Sequence, residues 1–114
     1  MNIKTDDFSV DYREADNSIK FSGSLRLLNL LEYEPVKRLL LDAHDRSASA
    51  LTLDFRELKF LNSSGITAVS TFVIAARKQK KVSLSILGSK DISWQDKSLQ
   101  NLNKLWSEVV INME

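Results

Sequence analysis

The sequence has no cysteine, which excludes a disulfide framework and thiolate chemistry. It has one histidine, His44, so a Ser–His–Asp triad or a histidine-rich metal site would have to be built around this single side chain. We expect His44 to be an ordinary exposed side chain, because it lies on a predicted helix among charged residues. The three glycines, at positions 23, 65 and 88, do not form a phosphate-binding loop. These absences favour a protein that is not an enzyme and that holds no metal or cofactor.

Long apolar runs are also missing. The longest is interrupted after a few residues, far short of the roughly 20 that a membrane-spanning helix needs, and the N-terminus lacks the apolar stretch of a signal peptide. Lys and Arg number 16 and Asp and Glu number 15, so the net charge is close to zero. The basic cluster of Arg77, Lys78, Lys80 and Lys81 is explained by the negative end of a helix dipole. We therefore expect a cytoplasmic protein with no membrane and no nucleic acid among its partners.

The length of 114 residues and the hydrophobic content of 43% suit a single domain, residues 1–114, with its own core. Alternation of apolar and polar residues predicts five strands. They lie at residues 8–12, 19–23, 51–55, 82–86 and 109–111. Turn-forming residues at 15–18 predict that the first two strands pair as a hairpin.

Apolar residues at helical spacing predict three helices. The first spans residues 35–46 and opens on a proline, which is tolerated in a first helical turn. The second runs from Gly65 into the basic cluster, and the third carries Leu99, Leu102 and Trp106 at i, i+3 and i+7. The order β-β-α-β-α-β-α-β predicts an α/β domain, in which helices cover a mixed, mainly parallel sheet.

Five leucines crowd a short stretch before the first helix. They are Leu25, Leu27, Leu28, Leu30 and Leu31. Two interpretations stay open: the leucines pack in the core, or they form an apolar contact patch for a partner or for a second copy of the chain in a homodimer. Leu27 and Leu30 are the residues to test, because substitution of buried positions reduces stability whereas substitution of a patch reduces only association.

Asn62, Ser63, Ser64 and Gly65 join the end of a predicted strand segment to the start of the second helix. Asn and Ser are favoured N-cap residues, because their side-chain oxygens accept hydrogen bonds from free backbone N–H groups. The same geometry suits a switch. A helix N-terminus stabilises a phosphate, and a phosphate on a serine there adds a charge of about −1.5 to −2 to the surface that a partner meets. The residues alone leave both interpretations open.

The segment LTLDFRELKFLNSSGITAVSTFVIAARKQKK resembles the signature of the STAS domain, typified by bacterial anti-sigma factor antagonists. In that signature an apolar strand with an aspartate leads into Asp-Ser-Ser-Gly, and an amphipathic helix follows. Asp54 matches the strand aspartate, Leu58 and Phe60 match the apolar lead-in, and residues 62–65 match the tetrapeptide. The Ile-Leu-Gly at 86–88 also suits the family, and the order of elements agrees over essentially the whole chain.

The resemblance implies a regulatory protein–protein interaction module and not an enzyme. In the antagonists, the first serine of the tetrapeptide is phosphorylated by a partner kinase that is itself the anti-sigma factor, and a metal-dependent serine phosphatase removes the phosphate. Carried over to this chain, the phosphorylation site is Ser63. The implied partners are an anti-sigma factor or related serine kinase of the GHKL type, together with a serine phosphatase. The implied partner-binding residues are Arg26, Asn62, Ser63, Ser64, Gly65 and Thr67.

Two positions depart from the family pattern. Asn62 stands where the family has aspartate, so the capping oxygen is kept and the charge is lost. Arg26 ends a Gly-Ser-Leu-Arg stretch where the family often has Gly-Glu-Leu-Asp, and an arginine near a phosphorylated Ser63 would attract it. Two alternatives to the switch remain. One is a constitutive structural adaptor of the same fold without phosphorylation, and the other is a module that binds a small anion or nucleotide at the helix N-terminus.

Overall fold

A six-stranded mixed sheet forms the centre of the protein in the computed structural model, which describes all 114 residues. Its strands are β1 (Asn2–Lys4), β2 (Phe8–Arg13), β3 (Ser18–Leu25), β4 (Ala50–Leu61), β5 (Ser83–Gly88) and β6 (Val110–Met113). They lie in the sheet in the same order as in the chain. The pairs β1–β2 and β2–β3 are antiparallel, and the other three pairs are parallel. The predicted α/β fold with a mixed, mainly parallel sheet is confirmed.

The sequence pattern does not predict β1. Of its three residues only Ile3 is partly buried, and one apolar residue cannot show an alternation. The strand forms by pairing with β2, where Ile3 lies opposite Val10, and it makes one edge of the sheet.

Helices connect the parallel strands. They are α1 (Glu34–Arg46), α2 (Ser63–Gln79), α3 (Gln95–Gln100) and α4 (Leu102–Leu105), and two 3-10 turns lie at Glu14–Asp16 and Leu30–Tyr33. The first two predicted helices are confirmed, with α2 beginning two residues earlier than expected. None of the helices is long and apolar enough to cross a membrane.

The prediction of one continuous third helix is wrong. The segment divides into α3 and α4, and the backbone is already extended at Trp106. Polar contacts stabilise this shape: Arg77 Nη1 of α2 donates to the carbonyl of Leu105 at 2.9 Å, and Asn103 Nδ2 donates to the carbonyl of Val109 at 2.9 Å. The apolar residues of the predicted stripe are buried all the same, so their spacing predicted the core face but not the break.

The expectation that His44 is exposed is also wrong, since only 1% of it is accessible. It follows Leu40 by four residues and therefore continues the apolar stripe of α1, despite its charged neighbours in sequence. Its ring meets the ring of Phe72 on α2 edge to face, with centroids 6.0 Å apart. His44 thus packs between the two long helices.

β4 continues to Leu61, well past the predicted end at residue 55. Its pairing with β3 shifts register twice, between Asp54 and Glu57 and between Leu58 and Phe60, and each shift leaves one extra residue in β4. The buried Gln95 supports this irregular stretch, because its Nε2 donates to the carbonyls of Phe55 at 2.5 Å and Leu58 at 2.9 Å. The strand therefore runs without a turn to the start of α2.

Candidate functional site

Asn62 separates β4 from α2 and is the N-cap of that helix, with an extended backbone at φ −80° and ψ 176°. Its Oδ1 accepts a hydrogen bond from the backbone N–H of Gly65 at 3.0 Å, and its carbonyl accepts one from the N–H of Ile66 at 2.9 Å. The prediction of a helix cap in this motif is confirmed. Because the asparagine provides the cap, neither serine is needed for it.

The Asn62 side chain also ties the preceding loop to the helix. Oδ1 accepts a second hydrogen bond, from the hydroxyl of Tyr33 at 2.6 Å, and Nδ2 donates to the carbonyl of Leu27 at 2.7 Å. An aspartate could accept the bonds from Gly65 and Tyr33 but, when ionised, could not donate to Leu27. The Asn62 amide therefore makes a bond that an ionised aspartate, as in the STAS signature, could not make.

Tyr33 is buried, with 1% of its surface accessible. Burial raises the pKa of its hydroxyl above the ordinary value of 10.0, against a smaller opposing effect of the Leu27 backbone. The hydroxyl therefore stays protonated at neutral pH and donates to Asn62. A Cβ on Gly65 would lie 2.7 Å from this hydroxyl oxygen and would also meet the side chain of Leu61, so glycine is required for the close approach.

Ser63 is the first residue of α2, and its side chain is exposed. Ser64 is half-buried, and Thr67 is exposed one turn further along the helix. The predicted phosphorylation site is therefore reachable by another protein. It also lies where the positive end of the helix dipole favours a negative charge.

Arg26 follows directly after β3, at the point where the carbonyl of Leu25 accepts a hydrogen bond from the backbone N–H of Asn62 at 3.2 Å. The chain at Arg26 thus runs beside the start of α2. Its guanidinium lies over the ring of Phe60, with 4.4 Å between Cζ and the ring centroid. The structure brings the predicted partner-binding residues to one end of the sheet and shows the Arg26 charge directed to Phe60.

The leucine-rich stretch divides between core and surface. Leu25 is buried, and Leu27 is partly buried against the core. Leu28, Leu30 and Leu31 are 84%, 47% and 77% exposed. The core interpretation therefore holds for the first two leucines and the surface interpretation for the other three. Leu27 is not a suitable residue for testing a patch, and Leu28 and Leu31 are the better choices.

Residues 28–31, called the leucine segment below, are bounded by polar contacts on both sides. The Leu27 carbonyl before the segment and the Tyr33 hydroxyl after it both bond to Asn62. Within it, Asn29 Oδ1 accepts from the backbone N–H of Glu32 at 3.1 Å and caps the 3-10 turn. Sequence reasoning missed Tyr33, because its partner lies 29 residues away and no local pattern connects the two.

Asp54, which matches the strand aspartate of the family, belongs to β4 and not to the start of α2. Arg56 donates to both of its carboxylate oxygens, from Nε at 2.9 Å and from Nη2 at 2.8 Å, and donates to Glu114 at 3.2 Å. Burial alone would raise the pKa of Asp54, but the hydrogen bonds and charge of Arg56 hold it below the usual 3.8. The pair joins β4 to the C-terminus, which is a structural role.

A sheet ordered as the chain, helices in its parallel connections and a capped Asn-Ser-Ser-Gly at the start of α2 together define a STAS-like fold. Solved structures share it. A chain of the crystal structure of the diguanylate cyclase SiaD in complex with its activator SiaC, from Pseudomonas aeruginosa, matches with a TM-score of 0.74 and 16% identity. The match covers 100% of this chain and 99% of that chain.

Two structures of SiaC from Pseudomonas aeruginosa show the same likeness. One matches with a TM-score of 0.71 and 16% identity, over 98% of this chain and 95% of its own. The apo form matches with a TM-score of 0.71 and 15% identity, over 98% of each chain. No protein-family model and no curated protein matches the sequence. The likeness therefore shows the fold, and the STAS-like fold expected from the sequence is confirmed.

Proposed function

We propose that this protein is a regulatory module that binds a partner enzyme through the start of α2 and the leucine segment, and that phosphorylation of Ser63 weakens this binding. The position of Ser63 carries the proposal. Ser63 is the exposed first residue of a 17-residue helix, and the side chain of another residue, Asn62, provides the cap of that helix. A phosphate there would leave the cap intact and change only the surface.

The energetics of such a phosphate support a binding switch and not an unfolding switch. The helix dipole stabilises the added charge, so the folded state tolerates it. A partner that covered the neighbouring leucines would have to remove water from the same phosphate, and an unpaired charge resists such desolvation. The phosphorylated form is then folded and unable to bind.

Two classes of partner fit the proposal. The STAS resemblance supports an anti-sigma factor or related serine kinase of the GHKL type, which would bind and phosphorylate the chain, with a serine phosphatase to reverse the modification. The likeness to SiaC, which is described as the activator of a diguanylate cyclase, supports a cyclase as the second candidate. With either partner, the protein would act in the cytoplasm as a regulator that is not itself an enzyme.

A constitutive adaptor would use the same surface without the phosphate. A module for a small anion is less well supported. Beside Arg26 lies a depression of about 410 Å³ lined by Asp7, Phe8, Ser24, Arg26 and Leu27. Its carboxylate opposes an anion, and its guanidinium is directed to Phe60. The structure offers no group of three or more His, Asp or Glu side chains that could hold a metal ion.

The experiment compares tagged wild type, Ser63→Ala and Ser63→Asp in the native cells. We expect wild type to gain the mass of one phosphate at Ser63, and Ser63→Ala to co-purify with a kinase or cyclase that Ser63→Asp fails to retain. Thr71→Asp is the matched control, since it adds the same charge at an exposed position two turns along α2. Equal retention of the partner by Ser63→Ala and Ser63→Asp would leave the constitutive adaptor in place of the switch.

A further inference from the structure

A hollow of about 310 Å³ lies between β1 and the first half of α1. Most of its accessible surface is apolar, and its apolar lining includes Ile3 from the strand and Pro35 and Leu39 from the helix. We propose that this hollow receives Leu31 of a second copy of this chain, so that two copies pair as a symmetric dimer through their α1 helices. The inference goes beyond the proposed function and does not depend on the switch at Ser63.

Leu31 is exposed on the same helical run that lines the hollow. It belongs to the 3-10 turn Leu30–Tyr33, which leads directly into α1, and 77% of it is accessible. Side chains three residues apart are aligned in a 3-10 turn, and side chains four apart are neighbours on an α-helix. Leu31 therefore lies about one turn before Glu34 and Pro35, both of which line the hollow. An exposed apolar side chain and an apolar receiving surface are thus adjacent on one chain.

This adjacency suits a two-fold dimer, which needs a surface that complements itself. In such a dimer, residue i of one copy contacts residue j of the other, and residue j of the first contacts residue i of the second. If two α1 helices lie antiparallel with the two-fold axis beside Pro35, residues at equal distances before and after Pro35 meet across the axis. Leu31 of each copy then meets Leu39 of the other, in the hollow.

The same register places opposite charges together. Glu32 and Arg38 stand three residues before and after Pro35, and both side chains are exposed. Neither of them makes an ion pair within its own chain. Two pairs between Glu32 of one copy and Arg38 of the other would therefore flank the apolar contact, one on each side of the axis. With the axis nearer to the middle of α1, Leu31 would instead meet Asp42, whose carboxylate would lose water without gaining a partner.

The dimer would cover Leu31 when no partner enzyme is bound. Because the enzyme of the proposed function also contacts the leucine segment, the second copy and the enzyme would exclude each other. The contact consists of one 3-10 turn and the first half of α1, which makes a small interface, so we expect a weak dimer with a Kd on the order of 10 μM. Such a dimer would dissociate readily in favour of the enzyme.

Sedimentation velocity of the purified chain at ~100 μM tests the dimer. We expect wild type to sediment mainly as a dimer and Leu31→Asp as a monomer, since a carboxylate in the apolar contact opposes association. Val110→Asp is the matched control, because Val110 is also an exposed apolar residue but lies on β6, at the opposite edge of the sheet from β1. It should leave the dimer unchanged. A monomeric wild type at this concentration, or a dimer that Leu31→Asp leaves intact, would overturn the proposal.

Charge reversal tests the register and distinguishes this dimer from other modes of self-association. Glu32→Arg and Arg38→Glu should each weaken the dimer by at least about tenfold, because each change places like charges together on both sides of the axis. The double variant Glu32→Arg/Arg38→Glu restores opposite charges and should regain the dimer. Thermal unfolding checks that each variant is folded. A folded double variant that stays monomeric would overturn the register, and the proposal with it.

Discussion

The side-chain amide of Asn62 donates a hydrogen bond to the carbonyl of Leu27, 35 residues earlier in the chain, at 2.7 Å. This bond and the one from Tyr33 hold the loop after β3 against the first turn of α2. The start of α2 therefore depends on an amide at position 62, and several consequences can be measured.

Asn62→Asp should destabilise the protein by about 1–3 kcal/mol at pH 7, because a carboxylate would face the Leu27 carbonyl without a proton to share. Urea unfolding measures the difference. Asn112→Asp, exposed on β6, is the control and should stay within about 0.5 kcal/mol of wild type. The difference in free energy of unfolding between wild type and Asn62→Asp should become smaller below about pH 4, since a protonated carboxyl can donate to the Leu27 carbonyl. A carboxylate that costs nothing at pH 7 would contradict the assigned network.

Tyr33→Phe should lower the free energy of unfolding by about 1 kcal/mol at pH 7 through loss of the hydroxyl bond to Asn62. The pKa of Tyr33 is raised in the folded protein, so the unfolded chain ionises first as the pH rises past 10.0. The hydroxyl's contribution is complete below pH 10 and is lost between there and the higher folded pKa, at up to about 1.4 kcal/mol per pH unit. Chemical unfolding between pH 7 and 11 should show the advantage of wild type shrinking at the alkaline end. A constant difference over this range would argue against a buried hydroxyl.

Gly65→Ala should lower the free energy of unfolding by about 1–3 kcal/mol, because the added methyl group would clash with the Tyr33 hydroxyl and the Leu61 side chain. Ser64→Ala is the control at the neighbouring helix position. It should be neutral or slightly stabilising, since alanine has the higher helix propensity. Thermal unfolding of the two variants beside wild type measures the effect, and a Gly65→Ala protein as stable as Ser64→Ala would show that the first turn is less tightly packed than described.

Asp54→Asn should lower the free energy of unfolding by about 1–2 kcal/mol at pH 7. This loss is near the lower limit for a charged hydrogen-bonded pair, because 42% of the Arg56 side chain is exposed. The pKa of Asp54 is held below 3.8, so its contribution is present above that pH and is lost as the pH falls through the lower folded value. Unfolding from pH 7 down to pH 2 should show the two proteins converging. Asp11→Asn, which breaks a 3.5 Å pair with Arg13 whose side chains are 42% and 50% exposed, should change the free energy of unfolding by no more than about 0.5 kcal/mol.

Five of the six strands and the two long helices could be predicted, because each carries its own periodicity. Val10 and Tyr12 alternate with polar residues, and Val36, Leu39 and Leu40 form a helical stripe, so local pattern and burial agree. The prediction of one continuous third helix is wrong because the break depends on hydrogen bonds from Arg77 and Asn103, and hydrophobic spacing carries no information about these bonds. The charged neighbours of His44 predict an exposed side chain, whereas its spacing from Leu40 places it in the core.

The position of the candidate site could be predicted from the sequence, but the hydrogen bonds that hold it could not. The motif placed a cap and an exposed serine at the start of α2, and the structure has both. The bonds from Asn62 to Leu27 and Tyr33 cross about 30 residues of sequence, and such pairings exist only once the sheet brings the segments together. For the same reason the leucines could not be divided into buried and exposed before the end of β3 was known.

The strands lie in the sheet in the order in which they occur in the chain. When each strand after the first is synthesised, the neighbour with which it pairs is therefore already present. The sheet can grow by adding strands at one edge, in the direction of synthesis. The antiparallel hairpin of β2 and β3 needs only a short loop, whereas each later strand must wait for a helical connection. A nascent chain that ends at Leu61 would already contain the leucine segment but not Asn62, so the loop after β3 is made before the residue that ties it to α2.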